Sequence, residues 1–503
     1  MPIIGNGKNK GVNVNYAIDT SDYIRKLSNI ERMYLWSPYS DVSMVTRIKG
    51  NISEEKLRSA LDIVLQMHPL AGAKIVFDED YNAWFSTDNV FKPFFKTVNR
   101  ISDTQWLEEL QGEVKIPFNP ETGPMIRFVL VYSEKVSDLV VICNHSVCDG
   151  MSLVYLIRDL LDIYTHPEQE IKVIEPVDIK DFLPKGGFSL QSVMMKLVMG
   201  HANSKWKKNP YYFDHNDAVA VQDAYWEKYV FNTVLLELEP QETKSLLKQC
   251  RNKGISIGSA VIAAFIAAHE DIVGTFVKNQ KQLWVPFDLR RHATTSVGDV
   301  FGLCIGAPRF SYNYNAKKPF WGNAAVLHKE IHERVAKLDS HTMETPDSHP
   351  TFMDALSSFA LLKEVVPEAY TKTENLKKYF QDKKNITFSF AKRSRSMVPG
   401  TIPSNLGRLN IPETYGDLKI DRMIFFPVIS DSVPLNLGGL SIGNKMVFSL
   451  SYPESRDKIN TMTGEMIQIR NRALEYLGFP DKASEKAIED TINGVKRTCQ
   501  MQK

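Results

Sequence analysis

Between residues 125 and 164 the chain changes its hydrophobic period, and few folds accommodate that change. Met125 to Tyr132 is an apolar run, Ser133 to Asp138 is polar, and Leu139 to Cys143 is apolar again. From Leu153 the apolar positions Leu153, Leu156, Ile157, Leu160, Leu161 and Tyr164 recur at helical spacing. Two short apolar runs joined by a polar connection predict an antiparallel strand pair, and the i, i+3, i+4 recurrence predicts an amphipathic helix. His145-Ser146-Val147-Cys148-Asp149-Gly150 is therefore a strand-to-helix loop. A side chain there is held by backbone on both sides and can still project into a cleft.

That placement suits a general base. With an unperturbed pKa of ~6.5, a neutral imidazole at His145 accepts a proton from an attacking hydroxyl or amine at neutral pH. Gly150 lacks a Cβ and lets backbone or substrate approach closely. Asp149 opens the helix as a cap or pairs with a cation. Two other chemistries fit less well. Cys148 has no visible activating arrangement for a nucleophile, and Cys143, His145 and Cys148 lack both a usual zinc spacing and a fourth ligand. No metal is expected.

Elsewhere the pattern is also mixed. Val42 to Ile48 reads as a strand, and Ser53 caps a helix that carries Glu54 and Glu55 in its first turn and buries Leu57, Ala60, Leu61, Val64 and Leu65. Pro69 ends that helix. From Thr165 to Asp217 repeated Pro and Gly break the pattern, which predicts a crossover between two halves. Within it, Val193 to Met199 reads as a core helix or cavity wall, with a lid or membrane-touching segment as the other possibility. The second half offers helices over Glu239 to Cys250 and Ser256 to His269, a strand over Leu283 to Phe287, a strand over Lys445 to Ser451 and a helix around Lys458 to Leu477. The loop Asp339 to Pro350 is long and polar. A length of 503 residues allows roughly two to four domains. Two are expected here: 1–200, carrying the His145 loop, and 201–503, with the crossover within about 165–217.

Bulk composition excludes several classes of function. The chain has 61 Lys and Arg against 59 Asp and Glu, a net charge of +2 that provides no global field for nucleic acid. Five cysteines (Cys143, Cys148, Cys250, Cys304, Cys499) are scattered and odd in number, which argues against a disulfide framework and for a reducing compartment. Met1 to Tyr16 is polar with no apolar h-region, and no apolar run reaches the ~20 residues of a membrane span. A cytoplasmic location is expected, with peripheral membrane association left open.

The loop and its surroundings carry a resemblance. Asn144 to Gly150 resembles the H-x-x-x-D-G signature of the CoA-dependent acyltransferase superfamily, which includes chloramphenicol acetyltransferases, alcohol acetyltransferases, plant BAHD acyltransferases and peptide-synthetase condensation domains. Pro117-Phe118-Asn119 with Gly123-Pro124-Met125-Ile126-Arg127 resembles that family's lead-in to the catalytic loop. Ser256 to Ala268 resembles the helix that opens its second domain, and Pro286-Phe287-Asp288-Leu289-Arg290 its strand-end arginine motif. Ser404-Asn405-Leu406-Gly407, Leu440-Ser441-Ile442 and Phe448 to Tyr452 resemble the C-terminal strands of the alcohol acetyltransferase and condensation-like branches. Two departures stand out. Asn144 replaces the first histidine of many members, and the D-F-G-W-G of the BAHD branch is absent, with Ser404 to Gly407 in that region.

The resemblance implies an α/β (α+β) fold of two similar chloramphenicol acetyltransferase-like domains, each a mixed sheet with helices, and an active-site tunnel at their interface. It implies direct transfer of an acyl group, by analogy acetyl, from acyl-CoA (acetyl-CoA) to an alcohol or amine acceptor. Donor and acceptor would enter from opposite faces, with His145 as base and no acyl-enzyme. Acyl-CoA would be a co-substrate, with no permanently bound cofactor, no nucleic acid partner and a monomeric protein. The family's aspartate pairs with an arginine, which implies Asp149 with Arg290. Ser404 and Asn405 have the donor chemistry for an oxyanion or the tunnel wall, and Lys392, Arg393 and Arg395 the charge for CoA phosphates. Two alternatives remain: a carrier-protein-dependent condensation or acyl-transfer module, and a non-catalytic descendant that binds a small molecule in the old tunnel.

Overall fold

The computed structural model describes residues 23–186, 190–337 and 348–484. Met1 to Tyr16, most of the loop from Asp339 to Pro350, and Cys499 lie outside the described residues.

The expected strand pair forms. Ile126–Tyr132 runs antiparallel to Val136–Asn144, and only Ser133 to Lys135 are left as the connection. Val136–Asn144 pairs on its other side with Asp41–Lys49, from Asp41 opposite Asn144 to Lys49 opposite Val136. Leu139 to Cys143 is a continuous apolar run because this strand lies in mid-sheet with both faces covered. The full six-stranded sheet runs Thr414–Tyr415, Leu418–Phe426, Asp41–Lys49, Val136–Asn144, Ile126–Tyr132, Phe94–Asn99, with one parallel pair at the last step. Two of these strands, Thr414–Tyr415 and Leu418–Phe426, come from the second half of the chain. Leu418–Phe426 pairs antiparallel with Asp41–Lys49.

The second sheet is also six-stranded and mixed, in the order Arg309–Ser311, Gln282–Trp284, Thr401–Arg408, Leu435–Ile442, Lys445–Ser455, Tyr229–Leu238. Thr401–Arg408 runs parallel to Leu435–Ile442, and Lys445–Ser455 runs antiparallel to Tyr229–Leu238 along ten residue pairs. The run expected as one strand from Leu283 to Phe287 is broken. Gln282–Trp284 belongs to this sheet, and Phe287–Asp288 pairs separately with Ile305–Gly306. Pro286 lies at the break, where a residue without an N–H cannot continue a ladder.

Helices cover these sheets. Glu54–Met67 and Gly150–Thr165 pack together. Ser53 caps the first by accepting from the Lys56 amide, and Leu57, Ala60, Leu61 and Val64 are buried. On the second, Leu153, Leu156, Ile157, Leu160 and Leu161 are fully buried, each contributing about 1.5–3 kcal/mol. Tyr164 keeps its hydroxyl at the edge, where it accepts from the Ser53 amide at 2.9 Å. In the second half, Ile257–Ile272 packs between Phe320–Val335 and Thr461–Tyr476. It is apolar nearly all round because it is enclosed on every side.

The crossover departs from expectation. It holds a 17-residue helix, Leu190–Trp206. Of its Val193 to Met199 segment only Met199 is buried, and Val193, Met194, Met195, Leu197 and Val198 are exposed. The segment is thus neither core nor cavity wall. Apolar residues at nearly every position specify a helix without specifying which side faces in.

Candidate active site

The two sheets meet beside the His145 loop. Phe425, near the end of the strand that crosses into the first sheet, accepts a hydrogen bond at its carbonyl from Ser449 Oγ of the second sheet (2.6 Å). Next to this seam lies a cavity of about 680 Å³. Tyr34, Ser40, Val42, His145, Met151 and Phe425 line it from the first sheet and its loops, and Trp284, Arg309 and Ser404 from the second. Most of its wall is apolar.

His145 is fixed from three directions. Its amide donates to the Ser40 carbonyl at 2.8 Å, and the preceding Asn144 amide donates to the Met125 carbonyl at 3.0 Å. The ring Nδ1 lies 2.7 Å from the Cys148 carbonyl oxygen. A carbonyl only accepts, so Nδ1 carries the proton and Nε2 carries the lone pair. Among the described residues Nε2 has no hydrogen-bond partner, and the ring faces the cavity. The Tyr34 ring packs on it at 4.4 Å between centroids. Burial pushes the His145 pKa below its ordinary value against the opposing pull of the Cys148 carbonyl and the Asp149 charge. The imidazole is therefore neutral near pH 7.

Asp149 does not touch this ring. It caps Gly150–Thr165, with Oδ1 accepting from the Ser152 amide (2.8 Å) and Ser152 Oγ (2.9 Å). Oδ2 accepts from Arg290 Nη1 and from the Cys304 amide, both at 2.9 Å. Burial alone would raise the Asp149 pKa, but Arg290 and these amides bring it below the usual carboxylate range. Arg290 spends its remaining donors on the carbonyls of Val300 and Gly302, on Ser152 Oγ and on Asp288. The structure thus joins Asp149 and Arg290 in one buried cluster that fixes the loop from behind. Gly150 faces the cavity, and a Cβ there would stand 2.7 Å from the Phe425 ring and 2.9 Å from Leu406.

The remaining sequence-selected residues separate. Ser404 and Asn405 both line the cavity. Asn405 Oδ1 is taken by the Gly407 amide at 3.0 Å, and its Nδ2 presses on Gly258 at the start of Ile257–Ile272. Arg395 lines the cavity and pairs with Glu364 at 2.6 Å, whereas Lys392 and Arg393 are exposed on the same helix, Ile386–Arg395, and do not line it. Cys143 and Cys148 are buried away from the cavity, and burial pushes both thiols up, which removes thiolate character. Among the described residues no group of three or more His, Cys, Asp or Glu could hold a metal. Asn144, at the position of the family's first histidine, holds the loop instead: Oδ1 accepts from the Ser146 amide at 3.1 Å and Nδ2 donates to Asp41 at 3.3 Å.

Sequence reasoning missed Tyr34, Trp284 as a cavity residue, and Arg309. The Arg309 guanidinium lies 3.8 Å from the Trp284 ring centroid and has no carboxylate partner among the described residues. An aromatic-rich stretch at Tyr34-Leu35-Trp36 was the available signal for the first. The lead-in motif has a structural basis. Arg127 packs over the Phe118 ring at 3.9 Å and donates to the Ile116 and Pro117 carbonyls, which ties the turn to the strand.

With this geometry in place, two mixed sheets with a histidine loop at their seam define the chloramphenicol acetyltransferase-like architecture. The family model for the condensation domain matches residues 31–268. The resemblance to the CoA-dependent acyltransferase superfamily holds both in that match and in the fold. A nonribosomal peptide synthetase, kk1B from Curvularia clavata, is 24% identical over 237 residues, or 45% of this chain. The aligned part is about 2% of that synthetase's length. Among solved structures, the TRI3 trichothecene 15-O-acetyltransferase from Fusarium sporotrichioides superposes with a TM-score of 0.57 at 12% identity, covering 89% of this chain and 95% of that one. The first condensation domain of the calcium-dependent antibiotic synthetase gives 0.54 at 12% identity, covering 91% and 98%. Identities this low bear on the fold alone.

Proposed function

We propose that this protein is a transferase that moves an acyl group from a thioester to a hydroxyl or amine, with His145 Nε2 as general base. The observation that carries the reading is the Nδ1–H to Cys148 carbonyl bond, which leaves a neutral Nε2 lone pair aimed into the cavity. Nε2 takes the acceptor's proton as its oxygen or nitrogen attacks the thioester carbonyl. The resulting oxyanion collapses, the C–S bond breaks, and the imidazolium returns the proton to the departing thiolate. Ser404, whose hydroxyl has no hydrogen bond among the described residues, and Asn405, whose Oδ1 accepts from the Gly407 amide and leaves the Nδ2 donors to the cavity, are the candidate oxyanion donors.

The match to the condensation-domain model and to a peptide synthetase favours a donor tethered to a carrier protein. Free acyl-CoA is the second reading, the one implied by the H-x-x-x-D-G resemblance; TRI3, an acetyltransferase by name, shares the fold along nearly its whole length. The test compares acyl-pantetheinyl carrier protein with acyl-CoA across a panel of alcohols and amines, with products read by mass spectrometry. Turnover should fall by roughly 10² to 10⁴ in His145→Ala. Unchanged turnover in that variant rejects the base, and tight binding without turnover on the whole panel would instead identify a non-catalytic descendant.

A further inference from the structure

The helix Leu190–Trp206 presents a face that nothing in the described fold covers. Leu190, Val193, Met194, Met195, Leu197 and Val198 are exposed along its first turns. The helix is anchored at its other end, where Met199, Ala202 and Trp206 are buried and Trp206 Nε1 donates to Thr351 Oγ1 at 2.9 Å. Charge along this segment of the chain has a single sign. From Leu183 to Phe213 the sequence contains no Asp or Glu, while Lys185, Lys196, Lys205, Lys207 and Lys208 are all exposed. None of the five has an ion pair among the described residues.

We propose that this helix seats the protein on an anionic lipid surface. Leu190, Val193, Met194 and Leu197 recur at i, i+3, i+4 and i+7, so their exposed side chains share one face over two turns, which suits shallow insertion among lipid headgroups. Lysines beside such a face keep their ammonium groups at headgroup level, where acidic lipids supply the countercharge. The position connects the face to the cavity. Leu190–Trp206 packs against Ile386–Arg395, and Ser394, Arg395 and the following Met397 line the cavity. An apolar substrate dissolved in the bilayer would thus be one helix away from a largely apolar pocket. The docking itself stands whether or not the transfer reading holds.

The full chain is centrifuged with phosphatidylcholine vesicles, with and without phosphatidylserine. It should sediment with the anionic vesicles and much less with the neutral ones. Leu190→Ser/Met194→Ser/Leu197→Ser should lower the partition coefficient at least about tenfold. Each of Lys196→Gln and Lys205→Gln should lower it about fivefold. Melting temperature and turnover of a short water-soluble substrate should stay as in the wild type, because these side chains line neither core nor cavity. A wild type that stays in the supernatant, or a triple variant that sediments equally, overturns the proposal. So does gel filtration in which the serine substitutions convert a dimer into a monomer, since the face would then meet a second copy.

Discussion

Asp149 and Arg290 lie 141 positions apart in the chain and meet at 2.9 Å between Oδ2 and Nη1, with both side chains almost wholly enclosed. Removing one partner leaves an uncompensated buried charge, so Asp149→Asn should cost about 3–5 kcal/mol, measured by urea denaturation. The folded Asp149 carboxyl titrates below its ordinary value, where the unfolded one sits. The stability it contributes is therefore fully present above the unfolded value and lost as pH falls through the folded one. An Asp149→Asn variant should lack that acid limb. A variant as stable as the wild type would show that the pair is not holding the loop.

His145 titrates below ~6.5. The rate of transfer should therefore be flat around pH 7 and fall only on an acidic limb centred below that value, as Nε2 takes up a proton before the acceptor can supply one. A pH–rate profile with its acidic limb above ~6.5 would contradict a desolvated, neutral base.

A second histidine reports on folding rather than chemistry. Burial lowers His269 to about 4, and its Nδ1 has no partner among the described residues. Its ring stacks on Phe276 at 4.0 Å. The unfolded chain binds the proton first as pH falls through ~6.5, so the wild type should lose about 3 kcal/mol between pH 7 and pH 4 from this group. His269→Phe should flatten that slope by the same amount in denaturation curves taken across the range.

Tyr34 meets the His145 imidazole in a tilted ring contact, not through a hydrogen bond. Tyr34→Phe should keep turnover within about threefold, while Tyr34→Ala should lower kcat by about tenfold as the imidazole gains freedom. Equal losses in both variants would instead point to the hydroxyl.

Gly150→Ala places a methyl group against Phe425 and Leu406 at distances that real side chains do not tolerate. A destabilisation of about 1–3 kcal/mol is expected. Because the obstruction sits at the seam between the sheets, activity should fall along with the melting temperature. Gly112→Ala, where nothing lies within 4 Å, is the control and should be neutral or slightly stabilising.

What could be read from the residues was whatever a local period records. The Val136–Asn144 strand, the Gly150–Thr165 helix and the Asp149 cap follow from a change of spacing over some forty positions, and the His145 loop lies between them by necessity. Arg290 came from the resemblance alone, since no spacing links positions so far apart. Tyr34 and Arg309 were not legible as cavity residues because each reaches the cavity from an element that only tertiary packing brings there. Periodicity can mark a strand such as Leu418–Phe426, but it says nothing about which sheet that strand joins. The basic run at 392–395 shows the same limit, since one helical turn sends Arg395 to the cavity and leaves Lys392 and Arg393 outside.

The strand Leu418–Phe426, borrowed by the first sheet from the far end of the chain, bears on how the molecule comes into being. During synthesis the flank of Asp41–Lys49 stays without its neighbour until some four hundred residues have left the ribosome. For all that time a bare edge is open to mispairing with other nascent chains. A protein built this way should depend on chaperones more than its size suggests, and fragments ending before Thr414 should collect in inclusion bodies.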